Sequence, residues 1–389
     1  MKPLHLHVLL VSCNQLAMSG SRMTVMLYAA YLQASPVVIG LLAGLFGLVS
    51  AFVAVPVGRW IDRMGPRKPL LLASVMVTIG GIIAGLQEDL AVLFLVCPLI
   101  GTFNSMFQMT SDQTVGRFGE PKDRPANFAL QALGMSAATL AGPLVAGLAI
   151  DHLGHSSAFL LLAAIASIPL IVIGLGLLDF PQAPQRGRTE GFDAAPGWTL
   201  LRQQRLRRPY IVATMSNAVW SVVNFMIPLY GAQIGISATR IGTLMACMCG
   251  GVVGTRALMQ PLVRRFKPWP LVVLAQVLIG IGFFGIPFTA EYAALVSLVI
   301  IMGLGLGLTG PLSTSLMYDA SPPDRVAEVV GMRMTIANIA QTVVPLLFGA
   351  VGSVFGVGPV FWTVAAIVLG DAWSNRSEIG KKGRGSGLT

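Results

Sequence analysis

The sequence predicts an all-α membrane protein with twelve transmembrane helices in two six-helix bundles. Three observations support this fold class. Hydrophobic residues make up 54% of the 389 residues and charged residues only 11%, a balance unlike that of soluble domains. The apolar residues form repeated runs of roughly 20, which is the length that crosses a bilayer. The first half of the chain also resembles the second half.

Apolar runs place six helices on each side of a polar stretch. The first run is too long for a signal peptide, so we expect it to be a retained helix. The predicted domains are an N-terminal bundle over 1–178, a central cytoplasmic loop over 179–208, and a C-terminal bundle with a basic tail over 209–389. The last run is short and contains Asp371. The spans are predicted near residues 6–32, 37–58, 69–87, 91–116, 128–151, 157–178, 209–233, 238–262, 270–288, 293–318, 330–353 and 357–373.

The positive charges indicate the orientation. All but four of the 26 Lys and Arg residues fall at the N-terminus, in even-numbered loops or in the tail. Because basic loops stay on the cytoplasmic side, we expect a multi-pass protein of the cytoplasmic membrane with both termini inside. The net charge of +10 is spread over these clusters and does not form one face or arm, which argues against a nucleic-acid partner.

The two halves repeat at an offset of about 202 residues. Both halves hold six predicted helices, so the copies have the same orientation, as in transporters with parallel repeats. The sequence therefore predicts a parallel pseudo-twofold repeat. The matched pairs are Tyr28 and Tyr230, Ser35 and Ser237, Gly40 and Gly242, Gly101 and Gly303, Pro143 and Pro345, Gly147 and Gly349, Gly154 and Gly356, and Phe159 and Phe361.

The loop after the second helix carries a spaced motif of glycine, acidic and basic residues. Its members are Gly58, Asp62, Arg63, Gly65 and Arg67. Here the sequence resembles the major facilitator superfamily, whose loop between helices 2 and 3 has this spacing. The resemblance implies ion pairs that form in one conformation and break in another. Basic residues alone would also suit a simple positive-inside loop, and a proline replaces one basic residue of the family pattern.

Helix 5 carries small residues at regular spacing around Gly142 and Pro143. The pattern resembles the family's helix-5 signature, which is associated with exporters. Tight helix packing with a proline bend is the alternative. The family's helix-4 signature includes an arginine within the membrane, and helix 4 here has none, which argues against a proton-coupled drug antiporter.

Arg22 is the sharpest candidate for a substrate-binding residue, because an ionised side chain inside a span is costly. It shares a face of helix 1 with Asn14, and the resemblance implies that helices 1, 4, 7 and 10 line a central cavity. A cation facing Asn224 would suit a carboxylate or phosphate; alternatively, Arg22 snorkels to the outer surface. We expect Asp112 to pair with the basic loop after helix 2. Further binding candidates are Asn104, Gln108, Gln131, Asn217, Asn338 and Gln341.

These features predict a secondary active transporter that moves a small organic anion by alternating access. An efflux transporter for hydrophobic or cationic compounds is the alternative. A non-transporting receptor or a membrane enzyme is a remote alternative, because the sequence shows no clear nucleophile–base pair, metal-ligand cluster or phosphate-binding loop. We expect a monomer without cofactor or metal, and the cavity helices offer no midplane titratable group that would identify a coupling ion.

Overall fold

The computed structural model describes residues 3–87, 89–120, 123–180, 204–321 and 326–379. Apolar runs fold as helices because a helix satisfies its own backbone hydrogen bonds, which lipid cannot do. A short helix, Met259–Arg265, follows α8. The labelled helices are α1 Pro3–Tyr31, α2 Pro36–Met64, α3 Arg67–Leu86, α4 Leu90–Val115, Arg124–Gly174 (which a break divides into α5 and α6), α7 Gln204–Gln233, α8 Ala238–Ala257, α9 Pro268–Gly285, α10 Tyr292–Ala320, α11 Val326–Phe355 and α12 Val357–Ile379.

Gly154 divides the segment Arg124–Gly174 into α5, residues 124–153, and α6, residues 155–174. Its backbone has φ 84° and ψ 170°, a region that only glycine occupies at low cost. Gly356, its match in the second half, also has φ 84° and separates α11 from α12. The sequence repeat is therefore present in the backbone conformation of both turns.

The observed helices follow the predicted spans, but several ends differ. α2 continues to Met64, six residues beyond its predicted end, and so includes Gly58, Asp62 and Arg63 of the predicted loop motif. α6 ends at Gly174, four residues before the predicted end. The eighth span is interrupted at Leu258, whose φ of −89° and ψ of 2° are not helical. α12 continues to Ile379 although Asp371 lies within it, because Gln276 and Asn375 donate hydrogen bonds to its carboxylate.

Seven described helices are long and apolar enough to cross a membrane, by length and composition. One of the seven windows covers both α5 and α6. The stretches Pro36–Val49 and Ile339–Phe355 are apolar but shorter. The all-helical fold is thus confirmed, while the crossing of the bilayer by all twelve helices stays a prediction.

The chain groups into two compact units. The first holds the described residues up to 180, the end of α7 from Asn224, the start of α8 to Ala246, and Thr342–Ala350 of α11. The second holds the remainder of α7, α8 and α11 together with α9, α10 and α12. The sequence-based boundary between the bundles at 178 and 209 stays a prediction.

Glycines set the spacing of neighbouring helices within each unit. In the first unit, Gly101 of α4 lies directly against the backbone carbonyl of Phe46 in α2, where a methyl group would overlap it. In the second unit, Gly303 of α10 lies in the same way against Met248 of α8. Both contacts join members of the predicted repeat, since Phe46 and Met248 are also about 202 residues apart. The duplicated glycines therefore hold equivalent helices in backbone contact.

The outward helix faces remain apolar. Leu95 of α4 is 61% exposed, Leu133 of α5 is 62% exposed and Trp373 of α12 is 71% exposed. Water does not favour so many exposed apolar side chains, whereas lipid does. Near the end of α12, the guanidinium of Arg376 lies 4.8 Å from the ring centre of Trp373, a pairing that suits a membrane–water interface.

Candidate functional site

Arg22 lies in α1 with its guanidinium carbon 5.5 Å from the centre of the Phe46 ring on α2. Its Nε is buried and has no hydrogen-bond partner among the described residues. The aromatic face stabilises the charge only in part, because a cation–π contact does not satisfy an N–H donor. The site thus holds a cation with at least one free donor inside an apolar helix.

Two asparagines connect α1 and α4 at a deeper position. Asn14 is fully buried and Asn104 nearly so, and Nδ2 of Asn14 donates to Oδ1 of Asn104 at 2.8 Å. Oδ1 of Asn14 has no partner among the described residues. The rise of a helix places this pair roughly 12 Å from Arg22 along α1. The amide pair therefore fixes the register of the two helices while one acceptor stays available.

Gln15 extends this polar cluster from α1 to α5, a role that the sequence reasoning missed. Its Nε2 donates to Oγ1 of Thr139 at 3.0 Å, and its Oε1 accepts a hydrogen bond from Nε2 of Gln108 at 3.0 Å. Oε1 of Gln108 has no partner among the described residues. The signal was present as a second polar residue beside Asn14 in an otherwise apolar stretch.

Asp112 and Gln131 form a third polar contact, between α4 and α5. Nε2 of Gln131 donates to Oδ1 of Asp112 at 2.9 Å. The predicted pairing of Asp112 with the basic loop after α2 is not tested, since the side chains of residues 50–63 lie outside the described part of the chain. The structure therefore brings Gln131 to Asp112 and does not show it beside Arg22.

The motif loop is described only in part. Gly58, Asp62 and Arg63 belong to α2, but their side chains lie outside the described residues. Gly65 has φ 73°, which explains the glycine at the turn. Arg67 donates from Nη2 to the carbonyl of Gly174 at 3.3 Å, so it attaches the start of α3 to the end of α6.

The small residues of helix 5 have a clear packing role. Gly142 lies against Ser19 of α1, and a methyl group at Gly142 would overlap the serine hydroxyl. The carbonyl of Pro143 lies directly against Gly242 at the start of α8. Both contacts are interactions between closely packed helices, as the packing alternative for this pattern requires.

The candidate residues of the second half lie on α7 and α11. Asn217 donates its Nδ2 to the carbonyl of Ala213 on its own helix at 2.8 Å. Asn224 and Gln341 are half-buried. The side chain of Asn338 lies outside the described residues. Their roles as substrate ligands stay predictions.

The second unit contains an apolar cavity of about 330 Å³ beside α7. Two hydroxyls in its wall are already engaged: Tyr210 donates to the carbonyl of Val329 at 3.1 Å, and Thr214 donates to the carbonyl of Tyr210 at 2.8 Å. The volume is within the range of small-molecule pockets. The lining residues are Arg207, Tyr210, Ile211, Thr214, Met215, Ala218 and Ile336.

A buried polar cluster joins α7, α9 and α12 in the second unit. Gln276 donates to Asp371, and Asn375 donates to Oε1 of Gln276 at 3.1 Å and to Asp371 at 3.2 Å. Arg208 donates to Oδ1 of Asn375 at 3.3 Å. Sequence reasoning missed this cluster because its members lie far apart in the chain. In the part of the chain that the structure describes, no group of His, Cys, Asp and Glu side chains has metal-site geometry.

A family model described as Major Facilitator Superfamily matches residues 8–345, most of the chain. The chain belongs to the Major Facilitator Superfamily. It is therefore a multi-pass integral membrane transporter, and the predicted family is confirmed.

Two relatives and one solved structure are similar to this chain. The chain is 20% identical to the uncharacterized MFS-type transporter MJ1560 of Methanocaldococcus jannaschii, over 88% of this chain and 90% of that protein. It is 20% identical to the multidrug efflux pump LfrA of Mycolicibacterium smegmatis, over 80% of this chain and 72% of that protein. The crystal structure of the nucleoside transporter NupG superimposes with a TM-score of 0.79 at 15% identity, covering 98% of this chain and 100% of that one. This last likeness shows the fold.

Proposed function

We propose that this superfamily member is a secondary active transporter that carries a small organic anion by alternating access. The observation that carries the proposal is Arg22, a cation in α1 whose buried Nε lacks a hydrogen-bond partner among the described residues. A charged residue within a span marks a substrate or ion path more often than a structural site.

The surroundings of Arg22 favour an anionic ligand. No ion-pair partner for Arg22 is present among the described residues, and its described contact is the ring of Phe46. A guanidinium presents several N–H donors that match the two oxygens of a carboxylate or phosphate. The free acceptors on Asn14 and Gln108 would receive hydroxyl or amine donors elsewhere on the solute. An organic acid with hydroxyl or amino substituents fits both sets of groups.

The orientation forms part of the proposal. The basic loops stay on the cytoplasmic side of the cytoplasmic membrane, so both termini lie inside. The loop between α5 and α6 and the loop between α7 and α8 then face outward. The coupling ion and the direction of transport are left open.

The test begins with a thermal-shift screen of the purified protein against organic acids, because a ligand that binds the folded state raises its melting temperature. Uptake of each acid that stabilises the protein is then measured in proteoliposomes. We expect Arg22→Gln to lower the affinity by about tenfold to a hundredfold, the loss of one charge-assisted contact, and Arg22→Lys to fall between. Arg256→Gln, which changes an exposed arginine of α8, is the matched control. Equal uptake by Arg22→Gln and wild type would remove Arg22 from the site.

Export of hydrophobic or cationic compounds is the second candidate function. It is favoured by the apolar cavity beside α7 and by the likeness to a protein named as a multidrug efflux pump. Filling the cavity with Ala218→Phe should then reduce the drug tolerance of cells that overproduce the protein. Unchanged tolerance to a broad panel of compounds, with organic-acid uptake intact, would decide against this function.

A further inference from the structure

The first turn of α8 receives a cap from a residue that is distant in sequence. The carboxylate of Asp151, near the end of α5, accepts the backbone N–H of Ala238 at 3.0 Å and that of Thr239 at 2.7 Å. These N–H groups have no partners within their own helix. An acidic side chain at this position also interacts favourably with the positive end of the helix dipole. Asp151 therefore binds two donors of α8 with its two oxygens.

The backbones around this cap are in direct contact. Gly147 of α5 lies against the carbonyl of Ala238, and Gly242 of α8 lies against the carbonyl of Pro143. A side chain at either glycine would overlap the facing backbone. The cap depends on this close approach, because a hydrogen bond weakens steeply once its donor and acceptor separate. A small separation of α5 and α8 would break both bonds together.

The matching junction of the repeat has different residue types at the positions of this cap. There Gly40 of α2 lies against the carbonyl of Pro345 in α11. A methyl carbon added to Gly349 would lie 2.7 Å from the carbonyl oxygen of Pro36. Pro36 occupies the position that matches Ala238, and proline has no N–H to donate. The residue that matches Asp151 is Ser353. The two glycine junctions are thus equivalent, but the α5–α8 junction combines an aspartate with two N–H donors at the helix start, whereas α2 starts with a proline and faces a serine.

Both helices also carry a local serine cap. The hydroxyl of Ser237 accepts the N–H of Arg240 at 3.3 Å, and that of Ser35 accepts the N–H of Val38 at 3.5 Å. The first turn of α8 therefore has a serine cap in addition to the carboxylate, and the hydroxyls of Ser237 and Thr239 also bond to Asp151. The carboxylate is an addition that joins two helices from different halves of the sequence.

We propose that Asp151 is a gating residue of the transport cycle: it fastens α5 to α8 while their outer ends are in contact and releases α8 when they part. The proposal rests on the alternating-access function and on the outward orientation of this end. Asp151 is exposed, so water can solvate its carboxylate after release. A buried carboxylate would be left charged and unpaired when the helices part, and this cost would keep the two helices together. An exposed one gives a contact that forms and breaks repeatedly.

The distance between the two outer loops tests this role without a substrate. Spin labels are attached at Leu153→Cys and Gln233→Cys, both exposed positions, in protein whose four native cysteines are replaced by alanine. Pulsed electron paramagnetic resonance in nanodiscs then gives the populations of the short and long distances. We expect Asp151→Ala to raise the ratio of long to short distances by about fivefold to tenfold, the effect of losing one helix cap with its charge interaction. Asp151→Asn should have a smaller effect, since its single carbonyl oxygen accepts one of the two bonds.

Asp89→Ala is the matched control. Asp89 accepts the N–H of Ala91 at 2.9 Å and so caps α4 within its own segment, in a loop on the same predicted side. Ala238→Pro removes one of the two hydrogen bonds to Asp151 from the donor side, because proline has no N–H. It reproduces the residue at Pro36, and proline is tolerated at the first helical position. It should shift the distances in the same direction as Asp151→Ala.

The outcomes separate this proposal from the anion-transport proposal. A longer distance in Asp151→Ala and Ala238→Pro, with Asp89→Ala unchanged, supports the gate whatever solute is carried. Distances that match wild type in both variants overturn it, as does an equal shift in the Asp89 control. If Asp151→Ala does not fold, Ala238→Pro alone decides. If the uptake test showed that Arg22 does not bind the solute, the interpretation of these distances would not change.

Discussion

The polar cluster of α9 and α12 makes a quantitative prediction about stability. Gln276 is 2% exposed, and Gln276→Leu removes its donor to Asp371 and its acceptor for Asn375. A hydrogen bond between membrane helices contributes about 0.6 kcal/mol on average, and one to a carboxylate contributes about 1.5–3 kcal/mol. The variant should therefore lose about 2–3 kcal/mol of unfolding free energy, with a fall of roughly 2–8 °C in melting temperature.

The decisive comparison is with the double variant Gln276→Leu, Asp371→Leu. Truncating one partner leaves the other unsatisfied, whereas replacing both by apolar groups can be nearly neutral. We expect the double variant to be more stable than the sum of the single losses by about 1 kcal/mol or more. Thermal unfolding in detergent, followed by loss of the monodisperse elution peak, measures all variants. Thr363→Val is the control on α12, because Thr363 is exposed and bonds within its own helix. Additive losses, or a Gln276→Leu variant as stable as wild type, would refute this reasoning.

Four further substitutions and one control test the fold and the candidate site. Gly154→Ala and Gly356→Ala should each cost about 1–3 kcal/mol, because both positions have φ 84°; melting temperatures of the two variants should fall alike. Gly101→Val should prevent folding or lower the melting temperature markedly, whereas Gly250→Ala, with no atom within 4 Å of an added methyl group, should not. Asn104→Leu leaves Asn14 unsatisfied and should cost about 1–3 kcal/mol, measured by the same unfolding assay; a wild-type melting temperature would show that the amide pair contributes little.

Much of the fold could be predicted from the sequence because lipid imposes simple rules. Apolar runs of sufficient length become helices, and glycine at a matched position in both halves marks a matched turn or contact, as Gly154 and Gly356 show. The interruption at Leu258 lies three residues before Pro261, which has no backbone N–H to donate within a helix, and the prediction of an unbroken eighth span did not use that signal. The full length of α12 was hidden by Asp371, whose partner Gln276 lies on another helix.

The candidate site was predictable by residue type but not by pairing. Polar residues in apolar helices are conspicuous, so Asn14, Asn104 and Gln108 could be selected from the sequence, and their predicted role in substrate binding stays a prediction. Which of them bond to one another depends on the rotation and depth of each helix, and these follow from packing across the whole unit. Gln15 links α4 and α5 for this reason, although it received no role from the pattern alone.

The backbone contacts at Gly101 and Gly303 bear on how such a chain diverges after duplication. A side chain at either position would overlap the facing backbone, so the helix packing restricts both copies in the same way. At the matched positions of Arg22 and Asn224, by contrast, the two halves carry side chains of different chemistry. Under the proposed function, a symmetric helix framework therefore presents different polar groups to the solute from its two halves, and these groups can change without a change in the glycine-mediated helix packing.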